Sequence, residues 1–179
     1  RDLHGVAGAI VGEGDGGATA ITSTAGTVRV NTTAGDITIT ELINATGQLA
    51  TLNADAGSIN DNAPSDDGAP VNDIVSDSLA LRAANGVGAM SNRLEVNTAT
   101  LAYTVGANGI LLTDTAGGLT INNVDAIASS SSAGVTEITS ATFLTVAHNV
   151  SSTGAMIMTA FDTAGAGDDL TVNTGIQVT

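Results

Sequence analysis

Residues 25–39 read Ala25-Gly26-Thr27-Val28-Arg29-Val30-Asn31-Thr32-Thr33-Ala34-Gly35-Asp36-Ile37-Thr38-Ile39, one phrase written twice, nine residues apart. Each copy is a small-residue turn containing glycine, then a short stretch in which apolar and polar residues alternate. Period-two alternation puts Val28, Val30, Ile37 and Ile39 on one side of an extended chain, and Arg29 and Thr38 on the other. Glycine supplies the positive φ that a tight corner needs. The phrase returns in Asn108-Gly109-Ile110-Leu111-Leu112 and, nine residues on, in Gly117-Gly118-Leu119-Thr120-Ile121. Looser copies lie at 47–52, 56–59 and 169–172. Short strands at such regular spacing imply an all-β sandwich, barrel or solenoid.

Working outward, the grammar predicts strands at 18–22, 27–31, 36–40, 48–52, 78–83, 94–96, 99–105, 110–113 and 119–122. It predicts more at 135–139, 142–147, 155–161, 170–173 and 176–179. Only 43–52 and 124–132 leave room for a helical turn. Two stretches break the pattern. Residues 53–77 hold both prolines and six of the fourteen aspartates, and proline lacks the ladder donor, so an irregular acidic loop is expected there. Residues 128–134 (ASSSSAG) read as a flexible serine-rich turn. Strand grammar resumes after each, so 1–179 is expected to be a single segment.

Composition agrees with strands and excludes several functions. Thr, Val and Ile fill 54 positions, against 10 for Glu, Gln, Lys and Arg together. β-Branched side chains suit a pleated surface and are stiff in helices. Eighteen acids face four arginines and no lysine, for a net charge of −14. A nucleic-acid binder needs cations to displace phosphate counterions, so nucleic acid is not an expected partner. No apolar run is long enough for membrane insertion. With no cysteine there is no disulfide, thiol nucleophile or thiolate metal site. The start, Arg1-Asp2-Leu3-His4, reads as a processed chain or an excerpt from a longer one.

Two Phe and one Tyr are few for a sandwich, whose sheets are normally bridged by aromatic rings. A narrow solenoid interior takes Ala, Val, Ile and Thr. The balance favours a right-handed parallel β-helix, with a β-sandwich of pilin or Ig-like type as the alternative. Phe143 and Phe161 are expected to fill the core, either each locally or stacked in adjacent coils.

Residues 87–102 (VGAMSNRLEVNTATLA) resemble a recurring phrase in very large bacterial surface proteins. NGILLTDTAGGLTINNV (108–124) and TAGTVRVNTTAGDITIT (24–40) are similar to the repeats of filamentous-haemagglutinin-type adhesins. That resemblance implies right-handed parallel β-helices that project from the cell and act in attachment and matrix formation. It implies an extracellular or cell-surface location.

Candidate chemistry is sparse. Gly165-Ala166-Gly167-Asp168-Asp169-Leu170-Thr171-Val172 resembles one copy of the calcium repeat of RTX-type proteins, which would make Asp168 and Asp169 Ca²⁺ ligands. Gly12-Glu13-Gly14-Asp15-Gly16-Gly17 is a weaker case. Asp61, Asp66, Asp67 and Asp73 show no regular spacing and read as a solvated loop. The arginines at 1, 29, 82 and 93 look scattered, and His4 and His148 look isolated, so no catalytic residues and no other cofactor are expected. An acid cluster beside a groove on one face would instead favour a polysaccharide-acting or polysaccharide-binding β-helix.

The expected function is therefore non-enzymatic: a stiff rod or filament for adhesion or surface assembly. Its partners would be its own kind, end to end or within a longer chain, and cell-surface glycans. The alternative is a pilin-like subunit that polymerises by donor-strand exchange through the arm GVAGAIVG (5–12).

Overall fold

A computed structural model describes residues 2–5, 10–11, 19–62, 72–163 and 167–179. It contains eighteen strands and, among the described residues, no helix. In chain order they are β1 (Asp2–Gly5), β2 (Ile10–Val11), β3 (Thr19–Thr22), β4 (Val28–Thr32), β5 (Ile37–Ile39) and β6 (Leu42–Ala54). Then come β7 (Ile59–Asp61), β8 (Ile74–Ala83), β9 (Gly86–Val87), β10 (Leu94–Val105), β11 (Gly109–Asp114) and β12 (Leu119–Ile121). The last six are β13 (Ser130–Ser132), β14 (Thr136–Ser140), β15 (Leu144–Val146), β16 (Val150–Ser152), β17 (Met156–Ala160) and β18 (Leu170–Val172).

Every pairing between these strands is parallel, and, β10 with β11 apart, each strand pairs with strands one coil away rather than with its neighbour in sequence. That is a β-solenoid. One face stacks β1, β4, residues 50–54, 78–83 and 100–105, then β12 with β13, then β15 with β16, then β18. A second stacks β2, β5, β7, β9, β11, β14 and β17. A third stacks β3, residues 43–45, 74–76 and 94–98, and merges with the second at β11. The sandwich alternative is thereby overturned, and with it the fold that donor-strand exchange would need. The described parts of the N-terminal arm, β1 and β2, are ordinary rungs paired with β4 and β5.

The alternation seen in sequence becomes columns in space. Val28, Ala50, Leu79, Leu101, Ile121 and Val146 lie in direct register, one per coil, and all are fully buried. Val30, Leu52, Leu81 and Tyr103 make a parallel column, with spacings of 22, 29 and 22 residues. Like sits on like because each coil repeats the same inward phase. Corners behave as the sequence suggests. Gly26, Gly35, Gly109 and Gly117 all have positive φ. At Gly109 a Cβ would lie 2.1 Å from the Val135 carbonyl oxygen of the next coil, so only glycine fits.

Several expectations need correction. Residues 43–52 are strand, within β6, and 124–132 are a tight hairpin followed by β13. The supposed serine turn contains Ser130 and Ser132, both buried core residues. Within 53–77, β6 runs to Ala54, β7 occupies Ile59–Asp61 and β8 begins at Ile74, so these parts are strand; residues 63–71 lie outside the described residues. Asp66 and Asp67 lie outside the described residues. Phe143 and Phe161 are exposed and fill no core; the Phe143 ring lies against Gly118, where a Cβ would meet it at 2.1 Å. Residues 176–179 form no strand, only a bridge from Val178 to Val150.

Candidate functional site

The first polar constellation sits at the end of β7 and just before β8. Asp61 ends β7 at the register position held by Ile39 one coil earlier, so its side chain takes an inward phase. Asp73 precedes β8, and Glu95 lies 22 residues further on, one coil away. Ligand oxygens of Asp61, Asp73 and Glu95 all lie within 4.8 Å of one another. The residues are only 7%, 5% and 6% exposed. The reading of Asp61 and Asp73 as solvated is therefore wrong: the coil period brings them together and the coils bury them.

Burial, and then the negative charge of Asp61, pushes the Asp73 carboxyl up to about 9; the Glu95 N–H donated to Asp73 Oδ2 at 2.8 Å pulls the other way. Asp73 thus keeps its proton, and its carboxyl is hydrogen-bonded to Asp61. Three clustered oxygens also suit a hard cation such as Ca²⁺. The spacing is close to that of a retaining glycosidase pair, but no sugar reaches carboxyls this buried.

A second constellation gathers residues that look scattered in sequence. Arg29 donates to both Asp125 carboxylate oxygens, at 3.0 and 3.3 Å. Arg82 donates to Asp125 Oδ2 at 2.9 Å and to the Asp125 carbonyl, and Thr51 Oγ1 donates at 3.3 Å. The arginines hold the Asp125 carboxyl below the usual carboxylate range, Arg29 contributing most. Asp125 sits at the tip of a hairpin closed by an antiparallel bridge between Val124 and Ile127. Asp125 and Ala126 have φ of +46° and +64°, a type I′ turn built without glycine. Arg93 likewise has a partner, Glu137, at 2.5 Å.

His148 is not isolated either. Its Nδ1 meets Asn123 Oδ1 at 2.9 Å and its Nε2 meets Ser130 Oγ at 2.8 Å. Since Asn123 Oδ1 only accepts, Nδ1 carries the proton and Nε2 accepts from the Ser130 hydroxyl. The distances are those of a nucleophile, a base and an orienting acceptor. However, Ser130 is 1% exposed and its Oγ already accepts the Tyr103 N–H at 3.1 Å. No substrate carbonyl reaches it. The group ties Asn123 and Ser130, the two roots of the hairpin, to the following coil.

Asp168 accepts from the Thr163 N–H at 2.8 Å and from the Thr163 hydroxyl; Asp169 is exposed, and its carbonyl accepts from the Leu144 N–H. Among the described residues, Asp61, Asp73 and Glu95 are the group of acids with metal-ligand spacing, and Asp168 and Asp169 are not part of it. Gly12–Gly17 lies outside the described residues.

The solenoid's last rung exposes apolar side chains. Val172 continues the Val28–Val146 column but is 48% exposed, and with Leu170, Val178, Met156 and Met158 it lines a shallow groove. Comparison with protein-family models, curated proteins and solved structures returns no match.

Proposed function

We propose that the chain is a structural, non-enzymatic segment of an extracellular or cell-surface protein, a stiff β-rich rod used in adhesion or surface assembly. One observation carries the reading: the inward column sealed from Val28 to Val146 ends on Val172 with its apolar row uncovered. Free strand edges and an open core at the end of a solenoid call for another parallel coil. A second copy stacked along the axis would supply that coil. A net charge of −14 keeps neighbouring rods soluble and apart.

The resemblance to filamentous-haemagglutinin-type repeats points the same way. Exposed Thr, Asn and Asp rows supply contacts to cell-surface glycans, and calcium at Asp168 and Asp169 would bridge rod ends. Against a catalytic role stand the burial of the acid cluster and the engagement of Arg29, Arg82 and Arg93 by acids of the same chain.

Electron microscopy of the purified chain, in calcium and in chelator, tests the reading. Filaments with an axial repeat of about 4.8 Å support stacked coils. Filaments that dissolve only in chelator add calcium to the contact. Dispersed particles in both buffers remove self-assembly.

A further inference from the structure

The hairpin at 122–129 departs from the rule by which solenoids hold together. In a solenoid each coil touches only its neighbours, so stability is a sum of nearest-neighbour terms and opening proceeds coil by coil. The ladder here links residues one coil apart, as in Arg29↔Thr51, Thr51↔Ala80 and Ala80↔Ala102. The hairpin links residues far beyond that range: Asp125 reaches Arg82 across 43 positions, Thr51 across 74 and Arg29 across 96.

The path it follows is prepared in the sequence of the face beneath. The outward column that runs through Arg29 and Thr51 continues as Ala80 and Ala102, the smallest side chains among these four. Their size leaves a trough, and Val124 and Ile127 fill it, with Leu49 at its edge. Ala80 and Ala102 are fully buried although they point away from the solenoid core. The tip is latched by Asp125 to two arginines and a threonine on three different coils. His148 fixes the roots from a fourth. The non-glycine positive φ values at Asp125 and Ala126 are costly in a free hairpin, so these contacts hold the turn rather than the reverse.

We propose that residues 122–129 are a clasp that makes the coils from β4 to β13 open as one cooperative unit instead of one after another. The coil carrying β4 cannot peel from the coil carrying Arg82 without breaking the Arg29–Asp125 pair. The coils carrying Thr51 and Arg82 cannot separate beneath the hairpin without losing the trough contacts. Coils beyond β13, which the clasp does not cover, remain free to open separately. The inference rests on the fold alone and holds whether or not the chain works as a surface rod.

Native-state hydrogen exchange of the full chain tests it. In the unmodified chain, amides of β4, 50–54, 78–83 and 100–105 should open with one shared free energy and one shared denaturant dependence. Arg29→Ala should release β4 alone, its amides exchanging about fivefold faster while 78–83 stay unchanged. Asp125→Ala should break the whole group into a graded series. If Asp125→Ala does not fold, Arg29→Ala, which keeps the Arg82–Asp125 pair, decides the matter. A graded series in the unmodified chain, or an equal acceleration of every coil in Arg29→Ala, overturns the proposal.

Discussion

The Asp73 carboxylate accepts the backbone N–H of Glu95 at 2.8 Å, while the Glu95 side chain lies in the same buried acid cluster. One coil would therefore both support and repel a negative charge on Asp73. Burial decides the outcome, raising Asp73 to about 9, and it raises Asp114 to about 7 against the pull of the Thr98 N–H and the Ser140 hydroxyl. Both carboxyls hold a proton in the fold that the unfolded chain releases near 3.8. Their contribution is full below 3.8 and is lost as pH rises through about 7 for Asp114 and about 9 for Asp73. Asp125, held low by Arg29 and Arg82, has the opposite sign and loses its contribution as pH falls below its usual value. The unfolding midpoint should accordingly fall as pH rises from about 4 to about 9. Asp73→Asn should flatten the upper part of that slope and Asp114→Asn the lower part, as read by thermal melts across pH. Melts of Asp73→Asn with the unmodified slope would show that burial does not govern this carboxyl.

The inward columns make a contrast within one residue type. Leu81 is fully buried between Leu52 and Tyr103, whereas Leu170 is 48% exposed on the last rung. Leu81→Ala should cost about 2–5 kcal/mol in denaturant unfolding, through lost burial and the cavity left behind. Leu170→Ala in the monomer should cost a small fraction of that. Equal losses would mean that the last rung is covered in solution.

Gly109 joins two constraints that add. Its φ is +80°, and a Cβ would stand 2.1 Å from the Val135 oxygen. Gly109→Ala should destabilise the chain by more than about 1 kcal/mol, the left-handed backbone alone accounting for that much. Gly117→Ala is the control, with positive φ and open space around its Cβ, and should cost less.

His148 offers a direct spectroscopic check of the clasp's roots. Burial lowers its pKa, so the folded ring stays neutral below the point where an unfolded histidine takes a proton. Its contribution is present above the ordinary value of 6.5 and is lost as pH falls. Nitrogen NMR should report an Nδ1–H ring that titrates below 6.5. A ring protonated on Nε2 at neutral pH would contradict the bond to Asn123.

Which of these features could be read beforehand follows from the range of the signal. Corners and columns were legible because each is encoded within a few residues: glycine at the turn, then alternation, as in Gly26 followed by Val28 and Val30. The acid cluster needed a longer signal, the 22-residue coil period, which places Asp73 beside Glu95 but cannot be measured from strands of unknown pairing. Asp61 gave a local hint, an acid at the inward phase of Ile59-Asn60-Asp61. The clasp gave almost none. Its turn uses Asp125 and Ala126 where a hairpin usually has Asn-Gly, and its trough is visible only once Ala80 and Ala102 are known to share a column. Ser130 and Ser132 misled for a related reason, since serine runs mark turns unless a ladder on both sides satisfies the backbone.

The open end yields the sharpest test of the proposed rod. Val172 and Val178 lie at the rim of the last rung, each resting with one side on the coil beneath, Val172 on Val146 and Val178 on Val150, and about half-exposed on the other. Val172→Asp with Val178→Asp places two charges on the surface that the next coil would cover. A buried unpaired charge is strongly unfavourable at such a contact, and the net charge of −14 adds repulsion from the incoming coil. The double variant should keep its melting transition and lose filaments under the microscope. Filaments as long and as frequent as those of the unmodified chain would place the contact elsewhere on the rod and overturn end-to-end stacking.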